Sequence, residues 1–352
     1  QEMGESGRKY AAENFDPDML IEQYEDLILA AINSSKSKGD KVLQEQKAQP
    51  LALEGMPIHG FIFDLDDVLV PLADALCDRM LGRLIQLLER GLPVAIITNE
   101  REENMEKRVW SVIPAPLRKN LYIFANGGPV GLGFTSEGEN LPYFRKTISS
   151  QDKQGIVTTV QAVFKAGSFK LVPLPFDFKV MIELDRKIRK NRKKYAQALA
   201  DELHKNNIQA YVSFQSDRYI NIFTFDKVDA GQYFLTKTGV AEKNSVIIGD
   251  SARKFGRDRR LLVSFKNARS FNVGDVSLTI DKENPSIVQT VVKNVPATEM
   301  ILDAILTNTP LPKGFKAQAS SKSIGKTIDY ALAELSELGY KDVVEITQEA
   351  SL

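Results

Sequence analysis

One short stretch brings three acidic side chains together directly behind an apolar run. Asp64, Asp66 and Asp67 follow the segment Phe61–Phe63. Crowded carboxylates cost free energy unless a cation or hydrogen bonds compensate them. The two-residue spacing of Asp64 and Asp66 puts both side chains on one side of an extended segment. Two such carboxylates can divide labour, one as nucleophile and the other as proton donor and acceptor.

Polar residues also follow three further apolar segments. These residues are Thr98 and Asn99 after "PVAII", Asn126 and Gly127 after "NLYIF", and Asp250 and Ser251 after "SVIIG". In a parallel α/β sheet, ligands bind outside the carboxyl ends of the strands, so we expect these side chains at one edge. Carboxylates and a threonine around one point favour a hard cation with oxygen ligands, in particular Mg²⁺.

The elements that must position these residues alternate between strand and helix. The predicted order is strand 58–65, helix 72–91, strand 93–99, helix 104–113 and strand 120–128, with a further helix at 230–240 and strand at 245–252. This alternation predicts an α/β fold with a doubly wound parallel sheet. Residues 131–222 break the rhythm and predict an inserted α+β domain. The core is therefore predicted at 57–130 and 223–309.

The two ends of the chain differ in character from this core. Residues 1–33 carry apolar side chains at helical spacing, and residues 34–56 are polar and predict a linker. Residues 310–325 predict a second linker, and residues 326–352 a last helix.

Composition restricts the classes of function. The chain has 352 residues, 43% of them hydrophobic, and its 46 Lys and Arg balance its 46 Asp and Glu. This balance does not indicate a nucleic-acid surface or a membrane anchor. The single cysteine, Cys77, and the two histidines argue against an internal disulfide and a histidine-based metal site. We expect a cytoplasmic protein in a reducing compartment.

The acidic stretch belongs to a set of four motifs that resembles the haloacid dehalogenase (HAD) superfamily. In chain order the matching residues are Asp64 and Asp66 in "FIFDLDDVL", Thr98 in "AIITN", Lys227 in "FDKVDAGQYFLTKTGV", and Asp250 with Asp258 in "IIGDSARKFGRD". The insert between the third strand and Lys227 lies where proteins with a C2-type cap carry that domain. The preceding "ANGG" is also similar to that subgroup, which includes sucrose-phosphate and trehalose-phosphate phosphatases and phosphomannomutases.

The resemblance implies a Mg²⁺-dependent phosphatase acting on a sugar phosphate or phosphorylated glycoside. The catalytic residues it implies are Asp64 as nucleophile, Asp66 as acid and base, and Thr98 and Lys227 as phosphoryl ligands. The metal ligands it implies are Asp64, Asp66, Asp250 and Asp258. The substrate-binding residues predicted beside them are Asn99, Arg101, Asn126 and Gly127.

Three departures from the family pattern stand out. Asp67 occupies a position where glycine is usual, and Arg257 replaces an asparagine of the fourth motif. Arg101 lies three residues after Thr98, where the family often has an arginine two residues after. A phosphomannomutase-like phosphoryl transferase and a non-catalytic regulatory domain are therefore alternatives.

Two other segments carry separate hypotheses. Residues 2–32 resemble the C-terminal end of GT-B glycosyltransferases, which suggests a glycosyltransferase–phosphatase fusion or a domain that regulates a sucrose-phosphate-synthase-like glycosyltransferase. The basic run 186–194 predicts the solvated face of a cap helix, with attraction of an anionic substrate as the alternative.

Overall fold

The structure is a computed structural model that describes residues 50–174, 177–214, 216–275 and 283–316. The predicted N-terminal helix at 1–33, the predicted C-terminal helix at 326–352 and most of both predicted linkers lie outside the described residues. The end of the first predicted linker, residues 50–56, instead belongs to the folded core. Leu51 and Leu53 are buried there because they pack into the main hydrophobic cluster.

Strands and helices alternate over most of the described chain. The strands are β1 (Ala52–Leu53), β2 (Met56–Pro57), β3 (Gly60–Phe63), β4 (Val94–Ile97), β5 (Leu121–Ala125), β6 (Val130–Phe134), β7 (Asn140–Arg145), β8 (Phe169–Val172), β9 (Lys179–Leu184), β10 (Tyr211–Phe214), β11 (Tyr219–Phe223), β12 (Ser245–Gly249), β13 (Arg269–Asn272) and β14 (Val288–Gln289). The helices are α1 (Asp78–Glu89), α2 (Glu102–Arg108), α3 (Ser150–Val163), α4 (Arg192–Lys205), α5 (Lys227–Thr238), α6 (Arg259–Ser264) and α7 (Asn294–Thr307). Short 3₁₀ helices follow α2 and precede α4.

A large sheet forms the core and has the strand order β14-β13-β12-β3-β4-β5-β6-β7. The strands from β14 to β5 run parallel, while β6 and β7 are antiparallel additions at one edge. Successive residues of β3 face opposite sides of the sheet, so Phe61 and Phe63 join one hydrophobic cluster and Ile62 joins another. The all-apolar strands are buried on both faces, which confirms the predicted doubly wound parallel sheet.

The second sheet has the order β10-β11-β9-β8 and is antiparallel throughout. Helices α3 and α4 cover one face of it with side chains such as Ile156 and Leu199, which share a cluster with Ile182 and Ile220. This α+β cap lies between β7 and α5 in the chain and has its own hydrophobic core. None of the helices in the described ranges is long and apolar enough to cross a membrane.

The start of the insert differs from the predicted residue 131. Residues 130–145 pair with β5 and extend the large sheet, because a tight turn at Asn126–Pro129 folds the chain straight back. Gly127 and Gly128 adopt positive φ angles of 90° and 120° in this turn. The apolar residues of β6 carry no sequence signal that separates a core strand from a cap strand.

Candidate functional site

A buried cluster of charged side chains lies at the carboxyl edge of the large sheet. Asp64 directly follows β3, Lys227 is the first residue of α5, and Asp258 precedes α6. The Lys227 Nζ donates hydrogen bonds to Asp64 Oδ1 and to Asp258 Oδ1, each at 2.6 Å. All three residues are at most 3% exposed. The ammonium therefore offsets two carboxylates that water cannot screen.

Asp250 brings a third carboxylate to this cluster from the end of β12. Ligand oxygens of Asp64, Asp250 and Asp258 lie within 4.8 Å of one another. Asp250 Oδ1 is buried and has no hydrogen-bond partner among the described residues. The other oxygen of Asp258, Oδ2, accepts bonds from the backbone N–H groups of Asp250 and Ser251 at 3.0 and 3.1 Å. Three converging carboxylates with one unpartnered buried oxygen fit a hard divalent cation.

The pKa values of these carboxyls diverge because their surroundings differ. Burial and the nearby Asp258 charge raise the pKa of Asp64 to about 6. Burial, Asp258 and Asp64 raise the pKa of Asp250 to about 9. Burial also opposes ionisation of Asp258, but the Lys227 charge, hydrogen bonds from Asp250 and Lys227, and the Arg257 charge together outweigh burial and lower the pKa of Asp258 to about 2. Without a cation, Asp250 is the carboxyl that retains a proton at neutral pH.

Close backbone approach makes this geometry possible at Gly249. A Cβ atom at this position would lie 2.8 Å from the Cβ of Asp258. Any side chain here would therefore push Asp258 out of the cluster. The glycine of the fourth motif thus has a packing role that its position in the sequence alone does not show.

Asp66 does not join the acidic cluster of the described residues, although we predicted it as a metal ligand. Its Oδ1 accepts hydrogen bonds from Arg108 Nη2 at 2.6 Å and from the Ala73 N–H at 3.1 Å. Arg108 also donates to Glu100 Oε2 at 2.8 Å and is 7% exposed. Arg108 was not predicted from the sequence, in which its one signal is its place near the end of a helix that follows the Thr98 strand.

The other predicted residues lie around the cluster at different distances. Thr98 is buried at the end of β4, where its Oγ1 accepts a bond from the Glu100 N–H at 3.0 Å. Asn99 and Gly127 line the neighbouring cavity. Asn126 is buried, and its N–H donates to the Glu100 carbonyl at 2.7 Å, so it supports the turn.

Arg101 instead lies at the N-terminus of α2 and does not line that cavity. Burial, with a contribution from the Arg101 charge, lowers the pKa of Lys179 in the cap to about 8. The two cations therefore lie close together, one on the core and one on the cap.

A cavity of about 310 Å³ separates the core from the cap beside Lys227. The cap contributes apolar and aromatic side chains, among them Tyr211 and Phe223. The core contributes Lys227, Arg257 and Arg260. The Arg260 guanidinium lies 3.4 Å from the Tyr211 ring centroid and pairs with Asp226 at 2.8 Å. The cavity thus joins a cationic end near the acidic cluster to a wall with aromatic rings.

Arg257 lines the cavity beside Lys227 and interacts electrostatically with the acidic cluster. Burial lowers its pKa, but the charges of Asp64, Asp258 and Asp250 act more strongly and raise it above the usual arginine range. This residue therefore places a permanent positive charge beside the three carboxylates.

The fold and the arrangement of the site define a HAD-like α/β core with an inserted cap. An IMP-bound, N-terminally truncated IMP-nucleotidase from Plasmodium falciparum matches with a TM-score of 0.54 and 14% identity over 74% of this chain and 70% of that chain. Its ATP-bound form matches with a TM-score of 0.50 and 16% identity over 74% and 63% of the two chains. SMU.1108c from Streptococcus mutans UA159 matches with a TM-score of 0.51 and 15% identity over 71% and 98%.

These similarities establish a shared fold. Across the Plasmodium nucleotidase structures the matched part ranges from 59% to 70% of the nucleotidase chain. No protein-family model and no curated protein matches this sequence.

Proposed function

We propose that this chain is a Mg²⁺-dependent phosphomonoesterase of the HAD type that acts on a phosphorylated sugar or glycoside. The observation that carries the proposal is the buried Asp64–Lys227–Asp258 arrangement, with the Asp250 carboxylate beside it. It combines a candidate nucleophile, a cation for phosphoryl oxygens and a set of metal ligands at one sheet edge. The similarity in fold to an IMP-bound nucleotidase agrees with a phosphate ester as substrate.

The first chemical step would be attack of an Asp64 carboxylate oxygen on phosphorus. The new O–P bond forms as the bond to the sugar oxygen breaks, and the leaving oxygen takes a proton from Asp66. Arg108 and the Ala73 N–H bind only Oδ1 of Asp66, so Oδ2 would be the oxygen that exchanges this proton. Water then attacks the aspartyl phosphate, gives its proton to Asp66, and releases phosphate and a free Asp64.

The remaining groups would hold charge in place during both steps. Lys227 and Thr98 would bind phosphoryl oxygens, and Arg257 would add positive charge at the same point. Asp64, Asp250 and Asp258 would hold Mg²⁺, which supplies Lewis-acid stabilisation of the phosphoryl charge when bound. The cap would cover the sugar in the 310 Å³ cavity and exclude bulk water.

The test is replacement of the nucleophile by an amide of nearly the same shape. We expect Asp64→Asn to lower phosphate release from an aryl phosphate at least about 10³-fold, since the covalent step is lost. Circular dichroism should show an unchanged fold. A matched control is Asp201→Asn on the exposed face of α4, which should keep wild-type turnover. Unchanged turnover of Asp64→Asn would contradict the assignment.

The sugar specificity needs a separate measurement. A screen of phosphorylated hexoses and disaccharides should find esters with kcat/KM values above that of the aryl phosphate, because the cap would contribute binding energy. Stoichiometric phosphate release separates hydrolysis from transfer to a second sugar. Equal kcat/KM values for all esters would contradict a sugar-specific role of the cap.

A further inference from the structure

A second cleft opens at the junction of cap and core and is strongly basic. Its volume is about 290 Å³. The basic residues that line it are Arg192, Lys193, Arg253, Lys254 and Arg257. Asp217 is the one acidic residue among the described residues that line the cleft. We call this space the basic cleft.

The charges come from two separate segments. Arg192 and Lys193 begin α4 and belong to the basic run 186–194, whose pattern predicts a solvated helix face. Lys254 and Arg257 lie on the loop between Asp250 and Asp258. Like charges from two segments repel each other, so their convergence costs free energy unless an anion lies between them.

Phe255 attaches this loop to the cap through a backbone hydrogen bond and a ring contact. The Phe214 N–H at the end of β10 donates to the Phe255 carbonyl at 2.9 Å. The two rings pack edge to face with centroids 5.4 Å apart. Phe255 has a φ of +63°, which a bulky side chain rarely adopts. Such strain persists where the surroundings fix it, and it clusters at sites that bind ligands.

One buried donor in the basic cleft has unused hydrogen-bonding capacity. Arg192 Nε is buried and has no hydrogen-bond partner among the described residues. The Arg192 guanidinium lies over the Phe214 ring, 5.5 Å from its centroid, which places it against an aromatic side chain of the cap. Arg253, unlike Arg192, forms an ion pair, and its partner is Asp275. The geometry therefore offers a guanidinium and neighbouring cations to a ligand with anionic oxygens.

The basic cleft adjoins the cavity beside Lys227. Lys254, Gly256 and Arg257 line both spaces. One ligand can therefore reach from the acidic cluster past Arg257 into the basic cleft. We propose that the basic cleft binds a second anionic group, a phosphate or a carboxylate, of the substrate whose phosphoryl group lies at Asp64. This inference rests on the proposed function and narrows the substrate class to esters that carry two anionic groups.

The experiment measures binding rather than turnover, in the Asp64→Asn variant of the full chain with Mg²⁺ present. Isothermal titration calorimetry compares a hexose bisphosphate with the matching hexose monophosphate. We expect the bisphosphate to bind about 10- to 100-fold more tightly, as charge-assisted hydrogen bonds allow. Adding Arg192→Gln should remove most of this ratio. The control Lys194→Gln, which changes an exposed residue of the same run outside the basic cleft, should retain it.

Equal affinities for the two esters, or a ratio that Arg192→Gln leaves unchanged, would overturn the inference. Sulfate that weakens binding of the bisphosphate more than binding of the monophosphate supports it, whereas sulfate that strengthens binding of the monophosphate would identify a free anion as the ligand and overturn it. If neither ester binds, the proposed sugar-phosphate substrate is wrong. Anion binding in the basic cleft is then tested by the rise in melting temperature that inorganic sulfate causes. An equal rise in wild type and Arg192→Gln would then overturn it.

Discussion

The backbone angle of Asp67, three residues after the candidate nucleophile Asp64, restricts which residue types can occupy this position. Its φ is +59°, in the left-handed region that favours glycine and, among other residues, aspartate and asparagine. This explains why Asp67 can stand where the resembling family has glycine. Burial and the neighbouring Asp66 charge raise the pKa of Asp67, while a hydrogen bond from the Leu72 backbone opposes the rise.

Substitutions at Asp67 should separate the backbone requirement from the charge. We expect Asp67→Asn to keep wild-type stability, because asparagine tolerates the left-handed region and still offers an acceptor. Asp67→Val should lower the free energy of unfolding by about 1–2 kcal/mol, since a β-branched residue does not fit this φ. Urea denaturation measures both variants. A valine variant as stable as the asparagine variant would show that the backbone can shift here.

Sequence spacing predicts some contacts of this site and not others. The strand-end pattern led to Thr98 and Asp250, and motif resemblance led to Lys227, which the structure places 2.6 Å from Asp64 Oδ1. Neither the strand-end pattern nor the motif resemblance could lead to Arg108, which lies on a helix 42 residues from Asp66 in the sequence. No periodicity shows which of several basic residues of a helix turns toward a distant carboxylate.

At the level of secondary structure, the N-terminus of α5 connects the site to the cap, because its capping residue pairs with Arg260 and the Arg260 guanidinium lies over the Tyr211 ring of the cap. Asp226 caps this helix by accepting a bond from the Val228 N–H at 2.8 Å and pairs with Arg260. Burial raises its pKa to about 6, and the Arg260 charge limits the rise. The folded state therefore binds a proton at Asp226 more tightly than the unfolded state does.

The raised pKa of Asp226 should be detectable in the pH dependence of the free energy of unfolding. The stabilisation from protonated Asp226 is fully present below the unfolded pKa of 3.8 and is lost as pH rises through about 6. Relative to Asp226→Asn, wild type should lose roughly 1–3 kcal/mol of unfolding free energy across this window. The exposed Asp201→Asn variant is the control. Parallel curves for wild type and Asp226→Asn would contradict the raised pKa.

Element boundaries were harder to predict than element types. Helix α1 was predicted from residue 72 but begins at Asp78, because a turn with Ala73 at a φ of +64° precedes it. The first helical turn carries no side-chain cap that a sequence could reveal. Helix α7 was not predicted, since ten of its 14 residues are buried, including the polar Thr298 and Glu299, and its apolar residues form no one-sided helical period.

At the scale of the whole molecule, the alternation of strands and helices was enough to predict the parallel sheet, at whose carboxyl edge Asp64 and Asp250 lie close together. The cap was harder, because β6 and β7 continue the large sheet before the separate cap begins. The basic cleft was beyond prediction, since its charges meet only through contact between the loop at Phe255 and β10. Contacts between a core loop and an inserted domain leave no period in the sequence.

The acidic cluster should make the stability difference between wild type and Asp250→Asn depend on Mg²⁺. With EDTA at neutral pH, Asp250→Asn should be at least as stable as wild type, because the neutral amide avoids the free-energy cost of protonating a buried carboxyl whose pKa is raised to about 9. With Mg²⁺ at ten times its Kd, wild type should gain about 1.4 kcal/mol of unfolding free energy. Asp250→Asn should gain much less, since one of three converging ligands is lost. Thermal unfolding with and without Mg²⁺ measures the difference, and equal gains in both proteins would place the cation elsewhere.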